Sequence, residues 1–198
     1  MKKLLLTLAL GMVAVFGFSQ VRWDVKFGMN FSNMTKLDET KALPGFTMGV
    51  GADYAFNENW YFQPGVMITS KGYKVKYAGE KVTVRPVYLD IPILAAYKFD
   101  ITDNTKFVIN AGPYLAIGLG GKVKEDGDNY KIFDDKGGDW KRFDLGLQWG
   151  VGVELGEHYL VNFTAQHGFI APGKSEDGNG DEISPKNMSF AIGVGYRF

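Results

Sequence analysis

The run 188–198, MSFAIGVGYRF, alternates without a fault. Met188, Phe190, Ile192, Val194, Tyr196 and Phe198 take every second place, and Ser189, Ala191, Gly193, Gly195 and Arg197 fill the rest. Successive side chains of a strand point to opposite faces, so one face is continuously apolar and the other small or polar. At a tilt of ~40° such a strand rises about 28 Å, close to the hydrocarbon thickness of a bilayer. A half-buried strand of a soluble sheet fits this segment equally well. The rest of the chain has to decide between the two.

The same alternation recurs at 21–31, 45–56, 60–71, 83–99, 106–119, 142–155 and 159–170, which with 188–198 predicts eight strands. The connections expected after strands one, three, five and seven are long (32–44, 72–83, 120–141 and 171–185). Those after two, four and six are short turns. A soluble meander has no reason to sort its connections this way, whereas an outer-membrane barrel does, with short turns inside and long loops outside. The expected fold is all-β: an eight-stranded antiparallel up-and-down transmembrane β-barrel.

Aromatic residues give a second, independent sign. Tyr54, Phe56 and Trp60 flank the first short turn, Tyr97 precedes the second, Tyr159 follows the third, and Trp23, Tyr196 and Phe198 lie near the ends. All fall on the apolar face at one rim, as a periplasmic aromatic girdle would. Pro64, Pro92 and Pro113 sit inside predicted strands of a barrel with no free edge, so bulges or ladder breaks are expected there.

Export is legible at the other end. Lys2 and Lys3, an apolar run to Phe18 and small residues at Gly17 and Ser19 read as a secretory signal over 1–19, leaving 20–198 as one barrel domain. No cysteine is present, so the ladder and its packing must hold the exported chain together. The chain carries 22 basic and 22 acidic residues, a balance that argues against a general nucleic-acid binder.

If the apolar face meets lipid, the other face fills the barrel. That places Arg22, Asp24, Asp53, Asp90, Lys98, Arg142, Asp144, Glu154 and Arg197 in the lumen, where charges must pair. Eight strands leave an interior just wide enough for side chains, which predicts a plugged lumen. The spacing of Asp177, Asn179 and Asp181 glances at a calcium loop, but Glu182 stands where glycine is required, and a solvated loop is the simpler reading. No cofactor motif survives inspection. His167 has no serine or acid beside it in the local sequence, so no catalytic residue is assigned.

Several segments then resemble the PorT-like outer-membrane β-barrel family: Tyr88 to Leu94 (YLDIPIL), Ala111 to Leu115 (AGPYL), Arg142 to Gly146 (RFDLG), Trp60 to Pro64 (WYFQP) and Ser70-Lys71-Gly72. Gly65 replaces the acid that often follows Gln-Pro in that pattern. The resemblance implies a small barrel in the outer membrane of a Gram-negative bacterium, with both mature termini periplasmic, and says little about activity. A strand ending in Phe198 also resembles the one such barrels offer to the insertion machinery. The leading expectation is a non-enzymatic barrel whose loops meet an extracellular or envelope partner. An accessory subunit of a secretion or assembly machine, a soluble lipocalin-like carrier of a small apolar ligand, and a lipid-modifying enzyme are the alternatives.

Overall fold

A computed structural model describes residues 21–35, 37, 40–77, 80–125, 128–133, 140–173, 175–176 and 182–198. The segment read as a signal lies outside them. Eight long strands carry the fold: β1 (Val21–Met34), β2 (Lys41–Ala55), β3 (Trp60–Ser70), β4 (Glu80–Thr102), β5 (Thr105–Glu125), β6 (Phe143–Leu155), β7 (Tyr159–Gly168) and β8 (Asn187–Arg197). Each pairs antiparallel with the next. β8 closes back on β1 from Asp24↔Arg197 to Met34↔Asn187. The ring therefore has no edge, and every strand finds two partners for its backbone groups.

The alternation that defines the strands also sorts their surroundings. Phe27, Met29, Val50, Ile109, Trp149, Val161, Ile192 and Val194 are exposed on the outer wall, with Phe27 at 57% and Ile192 at 59%. Asp24, Asp53, Asp90, Lys98, Asp144, Glu154 and Arg197 are buried inside. An apolar wall around a charged interior is the reverse of a soluble protein and suits a lipid surround. A lipocalin-like carrier would need the opposite arrangement, which this wall excludes.

The three prolines interrupt the ladder without shifting it. Pairing lapses between Gly51↔Gly65 and Tyr54↔Phe62, between Pro64↔Ile93 and Met67↔Asp90, and between Pro92↔Tyr114 and Ala95↔Ala111. A proline has no N–H to give, and the lapses are confined to its vicinity. Register shifts occur elsewhere, at Val87/Tyr88 and Asp100/Thr102.

Three connections read as loops contain regular structure: in 171–185, Ser175–Glu176 pairs with Glu182–Ile183, and the other two hold longer hairpins. Within 72–83, the strand Tyr73–Tyr77 pairs with the start of β4. Within 120–141, β5 continues to Glu125 and the strand Asp128–Lys131 returns against it. These hairpins escape the reading because they are short: Tyr73–Tyr77 alternates but spans five residues beside Gly72 and a cluster of lysines, and Asp128–Lys131 is four exposed residues with no alternation. Gly72 begins the first of them at φ +142°, and a Cβ there would run into the carbonyl oxygen of Val84. Gly72→Ala is expected to destabilise by more than ~1 kcal/mol, read as a lower urea midpoint of the refolded barrel.

Candidate functional site

The interior holds two charged clusters separated by a neutral polar belt. The first lies at the end of the barrel that carries the short turns. Lys98 Nζ donates to Asp53 Oδ2 at 2.5 Å and to Glu154 Oε1 at 2.6 Å. Arg197 meets Glu154 with both terminal nitrogens, at 2.7 and 2.8 Å, and its Nη2 lies 2.6 Å from Asp53 Oδ2. Two carboxylates and two cations thus form a closed, balanced square, all of it buried. The Tyr61 ring lies under the Lys98 ammonium, 4.1 Å from its centroid. Asp24 stands beside the square, paired with Lys26 at 3.1 Å.

The second cluster lies toward the long connections. Lys71, only 1% exposed, sits 3.1 Å from Asp90 and over the rings of Tyr114 (4.6 Å) and Tyr88 (5.3 Å). Tyr114 Oη and Asn187 Nδ2 both donate to Asp144 Oδ2, at 3.2 and 2.9 Å. Phe133 packs edge-on to Tyr88 above them, over Gly118, where a side chain would collide with its ring. Between the clusters Gln63 donates to Asp53, Asn110 to Gln63, and Gln166 to both Asp90 and Gln148. Amides carry the hydrogen-bond chain where no charge is present. A cavity of about 120 Å³ remains at this level, capped by an ionic cluster at each end. The paired ions of the square and the hydrogen-bonded polar groups above it fill most of the interior cross-section.

Two of the expected lumen residues have different surroundings. Arg22 and Arg142 are exposed, which corrects their assignment to the lumen network. Arg22 is paired in register with Asp53, but Lys98, Arg197 and Gln63 already occupy that carboxylate, and the arginine sits at an open strand end. Arg142 lies in a bend just before β6, donates to the carbonyls of Gly118 (3.2 Å) and Phe133 (2.5 Å), and rests on the Phe133 ring. Lys71 is an interior cation left out of the expected network, although it ends the expected strand 60–71 on the same inward face as Gln63 and Thr69. Its signal was the pair of inward tyrosines, Tyr88 and Tyr114, with no cation assigned between them.

The aromatic residues form a nearly continuous chain at the short-turn rim. Trp60 packs edge-on to Tyr97, Tyr97 to Phe99, Tyr54 to Phe56, and Tyr159 and Phe198 to Tyr196. Phe198 itself is 71% exposed, and Trp23 accepts the Phe198 backbone N–H through its carbonyl. His167 faces outward between Leu147 and Met188, beside the Phe169 ring. Among the described residues no group of three or more His, Cys, Asp or Glu could hold a metal ion. Asp177, Asn179 and Asp181 lie outside the described residues.

Residues 16–171 match the family described as Outer membrane protein beta-barrel domain. No curated protein matches the chain. Among solved structures, the outer membrane protein OprG from Pseudomonas aeruginosa is 16% identical, with a TM-score of 0.51 over 89% of this chain and 95% of that one. The attachment invasion locus protein Ail of Yersinia pestis is 17% identical, with a TM-score of 0.42 over 90% and 99%. The outer membrane enzyme PagL is 14% identical, with a TM-score of 0.49 over 87% and 97%.

Proposed function

The chain belongs to the outer membrane protein β-barrel domain family, and from that premise we propose that this integral outer-membrane barrel is a non-enzymatic envelope protein whose external hairpins and loops carry its contacts. The observation that carries the reading is the pairing of an apolar outer wall with an interior closed by two ionic clusters. Such a lumen transports nothing, so the surfaces left to act are those beyond the bilayer. The setting of His167, flanked by Leu147, Met188 and Phe169, supports the non-enzymatic part, since neither a nucleophile nor an acid is its cross-strand neighbour.

The finer features follow from the same reading. The rim of aromatic residues and short turns faces the periplasm together with both mature termini, and exposed Phe198 is the handle for the insertion machinery. The PorT-like grouping rests on the segments YLDIPIL, AGPYL and RFDLG in β4, β5 and β6. Topology is tested with a peptide tag placed either between residues 126 and 127 or in the 156–158 turn. On intact cells an antibody is expected to reach the first tag and to reach the second only after the outer membrane is opened. The folded protein should also migrate faster on a gel unboiled than boiled. Surface labelling of the 156–158 tag on intact cells would reverse the orientation, and absence of the protein from outer membranes would end the reading.

A further inference from the structure

Just above the apolar wall, the outer face carries a row of cations set directly across from one another. Arg85 in β4 pairs in register with Lys122 in β5, and Lys122 with Lys131 of the returning strand. All three are exposed, and none has an acidic partner among the described residues. Like charges placed directly opposite repel, and an anion bound across the row would relieve that repulsion. Arg142 lines the same concavity, its guanidinium fixed by the carbonyls of Gly118 and Phe133. The floor is apolar, formed by Val87 and by Leu119, which is 52% exposed. At Gly120 a Cβ would meet nothing within 4 Å, so the recess is open there.

We propose that the Arg85–Lys122–Lys131 row and Arg142 bind the phosphates of an outer-leaflet glycolipid of the lipid A class, its acyl chains lying along Val87 and Leu119. The inference rests on the orientation proposed above, which puts these hairpins on the outer side. Charge order selects the occupant. A lipid presents phosphate at the headgroup level and hydrocarbon below it, and the wall presents cations at that level and apolar side chains below. A soluble anion would have no use for the apolar floor beneath the row. Guanidinium and ammonium groups are the usual partners of phosphate, by bidentate and point-charge contacts respectively.

The test uses the full-length mature barrel in phosphatidylcholine nanodiscs, with bound lipid read by native mass spectrometry. Bisphosphorylated lipid A, its dephosphorylated form and inorganic phosphate are the probes. Arg85→Gln/Lys122→Gln is expected to weaken lipid A binding about tenfold or more. The charge-matched Arg22→Gln/Lys106→Gln, at the opposite rim, should leave it unchanged. Dephosphorylated lipid A should bind the unaltered protein as weakly as lipid A binds the double variant. Gly120→Leu fills the recess without changing charge, and should weaken binding even if the double variant does not refold. Wild-type affinity in the refolded double variant or in Gly120→Leu, or equal binding of the dephosphorylated lipid, overturns the proposal. Displacement of lipid A by millimolar inorganic phosphate would assign the row to a soluble anion and also overturn it. The surface-tag experiment reads orientation separately, so a wrong orientation and a wrong ligand give different results.

Discussion

Lys98→Met is expected to destabilise the refolded barrel by about 3–5 kcal/mol, the largest effect of any single substitution considered. The ammonium it removes is shared by Asp53 and Glu154, at 2.5 and 2.6 Å. Arg197 alone would then face two buried carboxylates. Burial makes this expensive, because water cannot reach the carboxylate that loses its partner. A second variant separates lost packing from lost charge. Adding Glu154→Gln to Lys98→Met leaves Asp53 with Arg197 as a neutral pair, and most of the lost stability should return. Urea-unfolding midpoints of the three proteins in lipid vesicles read the difference. If the double variant is no more stable than Lys98→Met, the square does not act through charge balance.

Ile192→Arg on the outer wall should cost about 2–4 kcal/mol, the penalty for a cation near the bilayer midplane on a lipid-facing strand. Ile192 lies between Met29 of β1 and Phe163 of β7, two alternations above the Tyr196 rim, with nothing charged on that face beside it. Phe143→Arg, on the same outer face but beside Arg142 at the far end of the wall, should cost only about 0–1 kcal/mol. The ratio between the two matters more than either value. A soluble sheet would tolerate both equally, since each position is exposed. Equal unfolding midpoints for the two variants would remove the lipid from the account.

The elements legible in the sequence are those for which the bilayer imposes a rule. Phe27, Met29 and Ile192 had to be apolar because lipid offers them no hydrogen bond, and that requirement recurs at every second residue. The closing pair β1–β8 follows once eight such strands are counted. Beyond the apolar wall the rule lapses. The strand Tyr73–Tyr77 alternates Tyr73 and Val75 with Lys74, but it is short and set among glycines and lysines that read as a loop, and Asp128–Lys131 is four exposed residues with no alternation to read. The interior partners were also hidden. Lys98 finds Asp53 and Glu154 from 45 and 56 residues away, and the stagger of the barrel, not local spacing, decides that meeting. Parity placed Arg22 and Arg142 inside because it assumes a straight strand. Arg142 lies in a bend, and Arg22 near the start of β1 beside a carboxylate already occupied.

β4 and β5 run for 23 and 21 residues, far more than a bilayer requires. A strand of that length and tilt spans more than ~50 Å, so about half of this hairpin stands clear of the hydrocarbon. In the proposed orientation its projecting half is a mast, and an antibody, a phage or a neighbouring cell meets it before the wall embedded in the bilayer. Its projecting end, around Glu80 and Glu125, is also far from the ionic square beside the short turns. Sequence at that open end, beyond Arg85 and Lys122, is therefore free to drift under attack from outside, while the part that keeps the protein folded stays out of every attacker's reach.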